Sequence, residues 1–337
     1  MIARFPALAA VLALLPFGPL TAQSVDTVLG GFDYPWDIES HDGTIFVTEK
    51  AGTLGTFSGG SFSRLPVTTS EPILNDRGGG LLGLALYPDF AETGRIVLYH
   101  HTGTPEDRRN RVIEAVRDGD AWREVRVLID NIPGHPLYNG GRVAFGPDGM
   151  LYVTTGWTEN RERPQDPDSL AGKILRVTAD GAVPDDNPFP GSPVWSLGHR
   201  NPQGLAWDDS GALYVAEHGQ SGHDEVNRID PGANYGWPLI QGDETADGLQ
   251  SPLAHSGGRT WAPSGLAWDG RRLLVAALRS ESVLAVDTAT GAVSEAAGIG
   301  ERIRDVLVTD DGILAITTNR SPRRDGASRD RLILIRP

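Results

Sequence analysis

The feature that most limits how this chain can fold is a two-strand unit that recurs along it. "PWDIESHDGTIFVTEK" from Pro35, "GLLGLALYPDFAETGRIVLYHH" from Gly80 and "GGRVAFGPDGMLYVTTG" from Gly140 share one plan. Each runs from a short apolar strand through a turn rich in Asp, Gly or Pro to a returning strand. "NPQGLAWDDSGALYVAEHG" from Asn201, "APSGLAWDGRRLLVAALRSESVLAV" from Ala262 and "IRDVLVTDDGILAITTNR" from Ile303 repeat that plan. Asp and Gly suit the backbone of tight hairpin turns, and the apolar runs are short enough for strands. Several units add a third strand after a loop, at 173–177, 225–229, 283–286 and 332–335. No run has a helical period.

Strand-built repeats starting roughly 40–60 residues apart are the sequence mark of a β-propeller. The six copies predict an all-β chain: a six-bladed β-propeller of four-stranded antiparallel blades, with residues 23–337 as one domain. A terminal strand around Val25 to Leu29 is expected to pair into the last blade and close the ring. A pair of β-sandwiches is the competing architecture, disfavoured by the matching turn chemistry of the copies.

Composition bounds the surroundings. Arg4 precedes an apolar, proline-interrupted run from Phe5 to Leu20, and Leu20-Thr21-Ala22 has the small residues of a cleavage site. Residues 1–22 are therefore read as a signal peptide, with a periplasmic or secreted mature protein and no membrane span within it. A net charge of -14 argues against nucleic acid and anionic membranes as partners. The absence of cysteine excludes disulfides, thiolate metal sites and cysteine nucleophiles.

Against that acidity, some cations cluster. Arg142, Arg200, Arg279, Arg302 and Arg304 all stand at strand ends of the repeats. If those ends share a face, five guanidiniums approach one axis, where an anion bearing carboxylates or phosphates suits them. Lys50 and Lys173 are the only lysines, so arginine at any single position is weaker evidence than usual. Three long insertions, 156–170, 182–197 and 219–261, are expected to wall that face. The stretch "EHGQSGHDEVNRIDPGANYGWP" mixes Asp224, Glu225 and glycine-rich backbone, the hard oxygens calcium takes. Its spacing is not that of an EF-hand, and a solvated acidic face is the competing reading. His218 and His223 lack a third partner for zinc, and no G-x-S-x-G elbow is present.

"GGLLGLALYPDF", "GGRVAFGPDGMLYVTTG", "LAGKILRV", "GHRNPQGLAWD", "DEVNRIDPGANYGWP", "APSGLAW" and "RIRDV" together resemble the soluble pyrroloquinoline-quinone (PQQ) sugar dehydrogenases, the glucose/sorbosone and aldose sugar dehydrogenase family. The resemblance runs in order over nearly the whole chain beyond residue 22. It implies a six-bladed propeller with PQQ and Ca2+ on its central face, a sugar substrate and an electron acceptor the sequence does not identify. PQQ is a tricarboxylate quinone, which would account for the arginines. Arg200, Asn201 and Gln203 match the family's R-N-P-Q beside the quinone. Arg302 and Arg304 match the pair that grips it, and Arg279 stands where a lysine is common. Gly219 and Gln220 match a Gly-Pro whose carbonyls bind the PQQ calcium. Glu225 and the Tyr235 carbonyl match a second, structural calcium site.

The proton-abstracting side departs from the pattern. The position of the family's general-base histidine is Tyr138, and His135 lies three residues earlier. The supporting Asp is Trp157, and the Glu or Gln before "GGLLG" is Gly78. Sugar oxidation by this cofactor is the leading expectation, with Tyr138, His135 and Arg200 as candidate catalytic residues. A non-catalytic propeller binding PQQ, a sugar or a protein is the second. A calcium-dependent lactonase, which needs a central cage of carboxylates and amides, is the third.

Overall fold

The computed structural model describes residues 24–322 and 329–336. The signal-peptide reading falls on residues outside these. Among the described residues the regular structure is β apart from a one-turn helix, Phe90–Thr93, and a 3-10 turn, Arg163–Gln165. The strands form four four-stranded sheets and one of eight strands, an arrangement consistent with a β-propeller. Within the eight-stranded sheet, Pro35–His41, Thr44–Glu49, Thr53–Ser58 and Ser61–Thr68 form one antiparallel half. Leu81–Leu86, Arg95–Gly103, Arg108–Asp118 and Ala121–Pro133 form the other. The halves are joined by two parallel pairs, Val67 with Trp122 and Thr68 with Arg123. Hydrogen bonding therefore merges two of the expected units into one sheet.

The closing strand is found where expected. Ser24–Phe32 pairs antiparallel with Asp330–Arg336, Val25 opposite Ile335, in the sheet that also holds Gly312–Thr317 and Ile303–Thr309. The first strands of the repeats form an inner ring. Pro35–His41 packs on Leu81–Leu86, Leu81–Leu86 on Val143–Phe145, Pro202–Trp207 on Pro263–Trp268, and Pro263–Trp268 on Ile303–Thr309, which returns to Pro35–His41. The glycine at the third position of the "PQGLAW" and "PSGLAW" strands is what lets them approach. A Cβ at Gly204 would lie 2.4 Å from the Ser264 carbonyl oxygen, and one at Gly265 only 1.6 Å from Asp305 Oδ1.

The inner ring is laced by charge. Arg142 Nη1 pairs with Asp37 Oδ1 and, at 2.6 Å, with Asp305 Oδ2, while its Nε donates to the Gln203 carbonyl at 2.9 Å. Asp37 Oδ2 accepts from Leu84 N–H, and Asp305 Oδ2 from Ile38 N–H. The Trp36 ring lies 4.4 Å from the guanidinium carbon. One buried arginine thus ties together strands that start far apart in the chain. This corrects the sequence expectation that Arg142 belongs with the ligand-binding cations. Two carboxylates already neutralise it, and it lines no part of the cavity described below.

Replacing Arg142 with Met leaves two buried carboxylates uncompensated, a change worth about 3–5 kcal/mol. Urea denaturation of Arg142→Met is expected to show a loss of that size, and a loss under 1 kcal/mol would remove the lacing role.

Candidate functional site

A cavity of about 660 Å³ opens among the loops beyond the inner strands. Arg200, Asn201, Gln203, Arg279, Arg302 and Arg304 all line it, from three separate repeats. So do Tyr138, Trp157, Gly219 and Gln220. The insertions at 156–170 and 219–261 contribute walls, as expected. The insertion at 182–197 does not. Its Asp186 and Asn187 bond Arg176 at 2.7 and 3.0 Å, and Val194–Leu197 becomes the fourth strand of its sheet.

Arg200 is held from both ends. Its N–H donates to Glu217 Oε2 at 2.7 Å, its carbonyl accepts from Trp157 N–H at 2.9 Å, and Nη1 donates to the His218 carbonyl at 3.1 Å. Glu217 also accepts from His199 Nδ1, whose Nε2 meets Ser196 Oγ at 2.9 Å. These three groups have the order of a nucleophilic triad. All three are buried and Ser196 lines no cavity wall, so the chain of bonds serves to fix the backbone of Arg200. Around the guanidinium stand three aromatic rings, Tyr138 at 4.7 Å, Trp237 at 5.2 Å and Trp157 at 5.7 Å. Trp157 and Trp237 meet edge to face with centroids 5.0 Å apart. Trp237 had no sequence signal, because only the fold brings it beside Arg200.

The other cations bond neutral acceptors. Arg304 Nη1 donates to Gln203 Oε1 at 3.0 Å and Ser264 Oγ at 3.3 Å. Arg302 donates to the carbonyls of Thr318 and Leu278 at 3.1 and 3.2 Å. Arg279 is exposed at the rim. Burial holds the Arg304 guanidinium down to a pKa of about 10, with the charges of Arg302 and Arg142 acting the same way. The buried Nε atoms of Arg200 and Arg304 have no partner. Donors in that state, beside a cavity, fit a ligand with several carboxylates.

Asn201 Oδ1 accepts from Gly140 N–H at 3.0 Å, so its amide is oriented by the neighbouring repeat. His135 stands behind Tyr138, ring on ring with centroids 5.1 Å apart, and lines no part of the cavity. Its Nδ1 accepts from the N–H groups of Leu137 and Tyr138. Gly78 packs against the Leu137 and Pro136 carbonyls, where a Cβ would come within 2.8 Å of an oxygen.

Asp224, read from the sequence as a calcium-type oxygen, is engaged by the loops themselves. Its Oδ1 accepts from Gly219 N–H at 3.0 Å. Its Oδ2 accepts from Thr260 Oγ1, Trp261 N–H and Ala262 N–H between 2.6 and 2.8 Å. Glu225 and Tyr235 face a second, much smaller cavity with Glu217 and Gln241. Burial and the charge of Glu217 push the Glu225 carboxyl up to about 8, and Gln241 Oε1 is buried without a partner. A hard cation at that point would suit both.

Strand repeats closed into a ring, with guanidiniums converging on one cavity, define a propeller-type protein. The sequence pattern of the glucose/sorbosone dehydrogenase family matches residues 32–329, and the chain belongs to that family. Aldose sugar dehydrogenase YliI from Escherichia coli K12 is 32% identical, over 88% of this chain and 90% of its own length. The PQQ-bound aldose sugar dehydrogenase from Streptomyces coelicolor superposes with a TM-score of 0.83 at 33% identity, over 95% of this chain and all of its own. The soluble aldose sugar dehydrogenase of Escherichia coli in its apo form gives 0.82 at 30% identity, over 94% of this chain and all of its own.

Asp224→Ala removes one charged acceptor from four donors at once. Bonds to a charged group are worth about 1.5–3 kcal/mol each and are not additive. Chemical denaturation is expected to show a loss of about 3 kcal/mol or more, with earlier proteolysis at 219–261 than in the wild type.

Proposed function

We propose that this chain is a six-bladed quinoprotein that oxidises an aldose or a related alcohol with PQQ, in the periplasm or outside the cell. The observation that carries the reading is the set of three cavity arginines, Arg200, Arg302 and Arg304, bonded to neutral acceptors, with the Nε atoms of Arg200 and Arg304 buried and unpartnered. The blade count follows from taking each half of the eight-stranded sheet as a blade, with residues 23–337 as the whole domain. The export reading rests on residues 1–22 of the sequence alone.

When bound, PQQ supplies a quinone able to accept two electrons with a hydrogen. Arg302 and Arg304 would hold its carboxylates, with Arg279 closing the rim and Arg200 nearest the reacting end. Gln203 Oε1 is committed to Arg304 and Asn201 Oδ1 to Gly140, so both amides offer N–H donors to an anion. Gly219 and Gln220 would give backbone oxygens to Ca2+ beside the cofactor, and Glu225 with the Tyr235 carbonyl would bind a structural Ca2+. Tyr138, beside Arg200, is placed to orient the substrate hydroxyl by a hydrogen bond. A phenol has a pKa near 10 in water and is a weak base at neutral pH. A purely binding role is the second reading, favoured by the phenol at Tyr138 and the indole at Trp157. Reduction of a redox dye with an aldose by PQQ-loaded protein separates the two.

Arg302→Ala and Arg304→Ala each remove a desolvated charge-assisted bond of about 1.5–3 kcal/mol, so PQQ binding is expected to weaken roughly tenfold or more. A fluorescence titration showing wild-type affinity for both variants would sink the cofactor assignment.

Calcium chloride added to metal-stripped protein is expected to raise its melting temperature, because a ligand bound by the native state alone stabilises it. In Glu225→Gln that rise is expected to shrink, and an equal rise in both proteins would argue against the structural site.

A further inference from the structure

We infer that Glu159 is the residue that takes the proton from the substrate hydroxyl, with His135 behind it as its positioning partner. The inference deepens the dehydrogenase reading and rests on it.

Glu159 lines the main cavity, on the wall that also holds Leu137, Tyr138 and Trp157. Its side chain is 54% exposed, while that of His135 is 14% exposed and lies outside the cavity. The two approach at 3.5 Å, His135 Nε2 to Glu159 Oε2. The tautomer follows from the other ring nitrogen. Nδ1 accepts from Leu137 N–H at 3.1 Å and from Tyr138 N–H at 3.3 Å, so in the neutral ring the proton sits on Nε2. Nε2–H therefore faces the Glu159 carboxylate, whose residue lines the cavity.

The backbone supports a specific placement. Thr158 and Glu159 are consecutive non-glycine residues with φ of 61° and 55°, a left-handed pair that a β-branched residue rarely enters. Several contacts impose it. Trp157 N–H bonds the Arg200 carbonyl, the Trp157 ring packs between Tyr138 and Trp237, and Arg163 Nη1 reaches Thr158 Oγ1 at 3.0 Å. Lys173 Nζ, donating to the carbonyls of Arg163, Pro164 and Ala171, closes the base of the same insertion. Trp157 thus removes a carboxylate from the family position while anchoring the turn that delivers another.

The chemistry balances with the quinone as two-electron oxidant. The hydroxyl O–H bond of an aldose in its ring form breaks, and its proton passes to a Glu159 oxygen. The C1–H bond breaks with its electron pair going to the quinone, and C1–O becomes the carbonyl of a lactone. Glu159 then gives its proton to solvent. Carboxylates are among the side chains that act as general bases.

The test uses full-length mature protein loaded with PQQ and calcium, assayed by dye reduction with glucose and a panel of other aldoses. Glu159→Gln is expected to lower kcat by about 10²–10⁴ with PQQ affinity unchanged. In Glu159→Gly, added formate or acetate is expected to restore part of the rate, which a structural role would not allow. A second readout needs no cofactor. The His135 imidazole is held below its ordinary pKa by burial, while Glu159 acts to raise it and Arg108 to lower it. NMR of ¹⁵N-histidine-labelled apoprotein is expected to show the Nε2–H tautomer, and Glu159→Gln should move its titration to lower pH. An active wild type with Glu159→Gln within threefold of it would overturn this inference and leave the dehydrogenase reading standing. A wild type that binds PQQ yet oxidises no aldose would overturn both.

Discussion

The whole arrangement depends on the buried contact of Arg142 with Asp37 and Asp305 at the centre of the inner ring. A ring of repeats has a geometric problem at its axis: first strands from opposite ends of the chain must come close with their polar backbone ends facing inward. Here a guanidinium spans the gap, and the carboxylates on either side accept N–H bonds from Leu84 and Ile38 besides holding the cation. A buried charge is costly unless it is paired. Glycines at Gly204 and Gly265 are the steric counterpart, since any side chain there would hold neighbouring strands apart.

Above that paired centre the charge balance is uneven. Arg142 is compensated, whereas Arg200, Arg302 and Arg304 bond carbonyls, an amide and a hydroxyl. Burial therefore works against the charged state of all three. Like charges held together in a half-dry cavity are the signature of a site shaped for an anion, because the anion's arrival relieves their repulsion. The same logic with reversed sign applies in the small cavity of Glu217 and Glu225, where buried carboxylates crowd each other.

The aromatic enclosure of Arg200 changes what that residue can do. Three rings limit its motion and shield it from water, so its free donors keep a fixed direction. Tyr138 and Trp157 thus belong to one connected packing arrangement. The phenol stacks on His135, the indole packs on Trp237, and the turn after the indole carries Glu159 to the cavity.

Sequence alone determined the strand units, the pairing of a terminal strand around Val25 to Leu29 into the last sheet, and the run of cavity residues from Arg200 to Gln203. These depend on local alternation, turn residues and contiguous motifs, which a linear chain displays directly. The family resemblance also pointed to Arg302, Arg304, Gly219 and Gln220, all of which line the cavity. The fourth strands escaped notice where they are polar and outward-facing, as in Val293–Gly298. Tertiary structure alone decided which arginines are spoken for. Nothing near Arg142 in sequence announces Asp37 and Asp305, which lie about a hundred residues or more away on either side and meet it only when the ring closes. The same holds for the insertion at 182–197, which turns back onto Arg176 instead of walling the cavity, and for His135 with Glu159, whose pairing needs two loops from different strands to converge. Local pattern specifies which strands form; the closed ring specifies which charges meet, because Coulomb and hydrogen-bond partners are set by distance in space and not by distance along the chain.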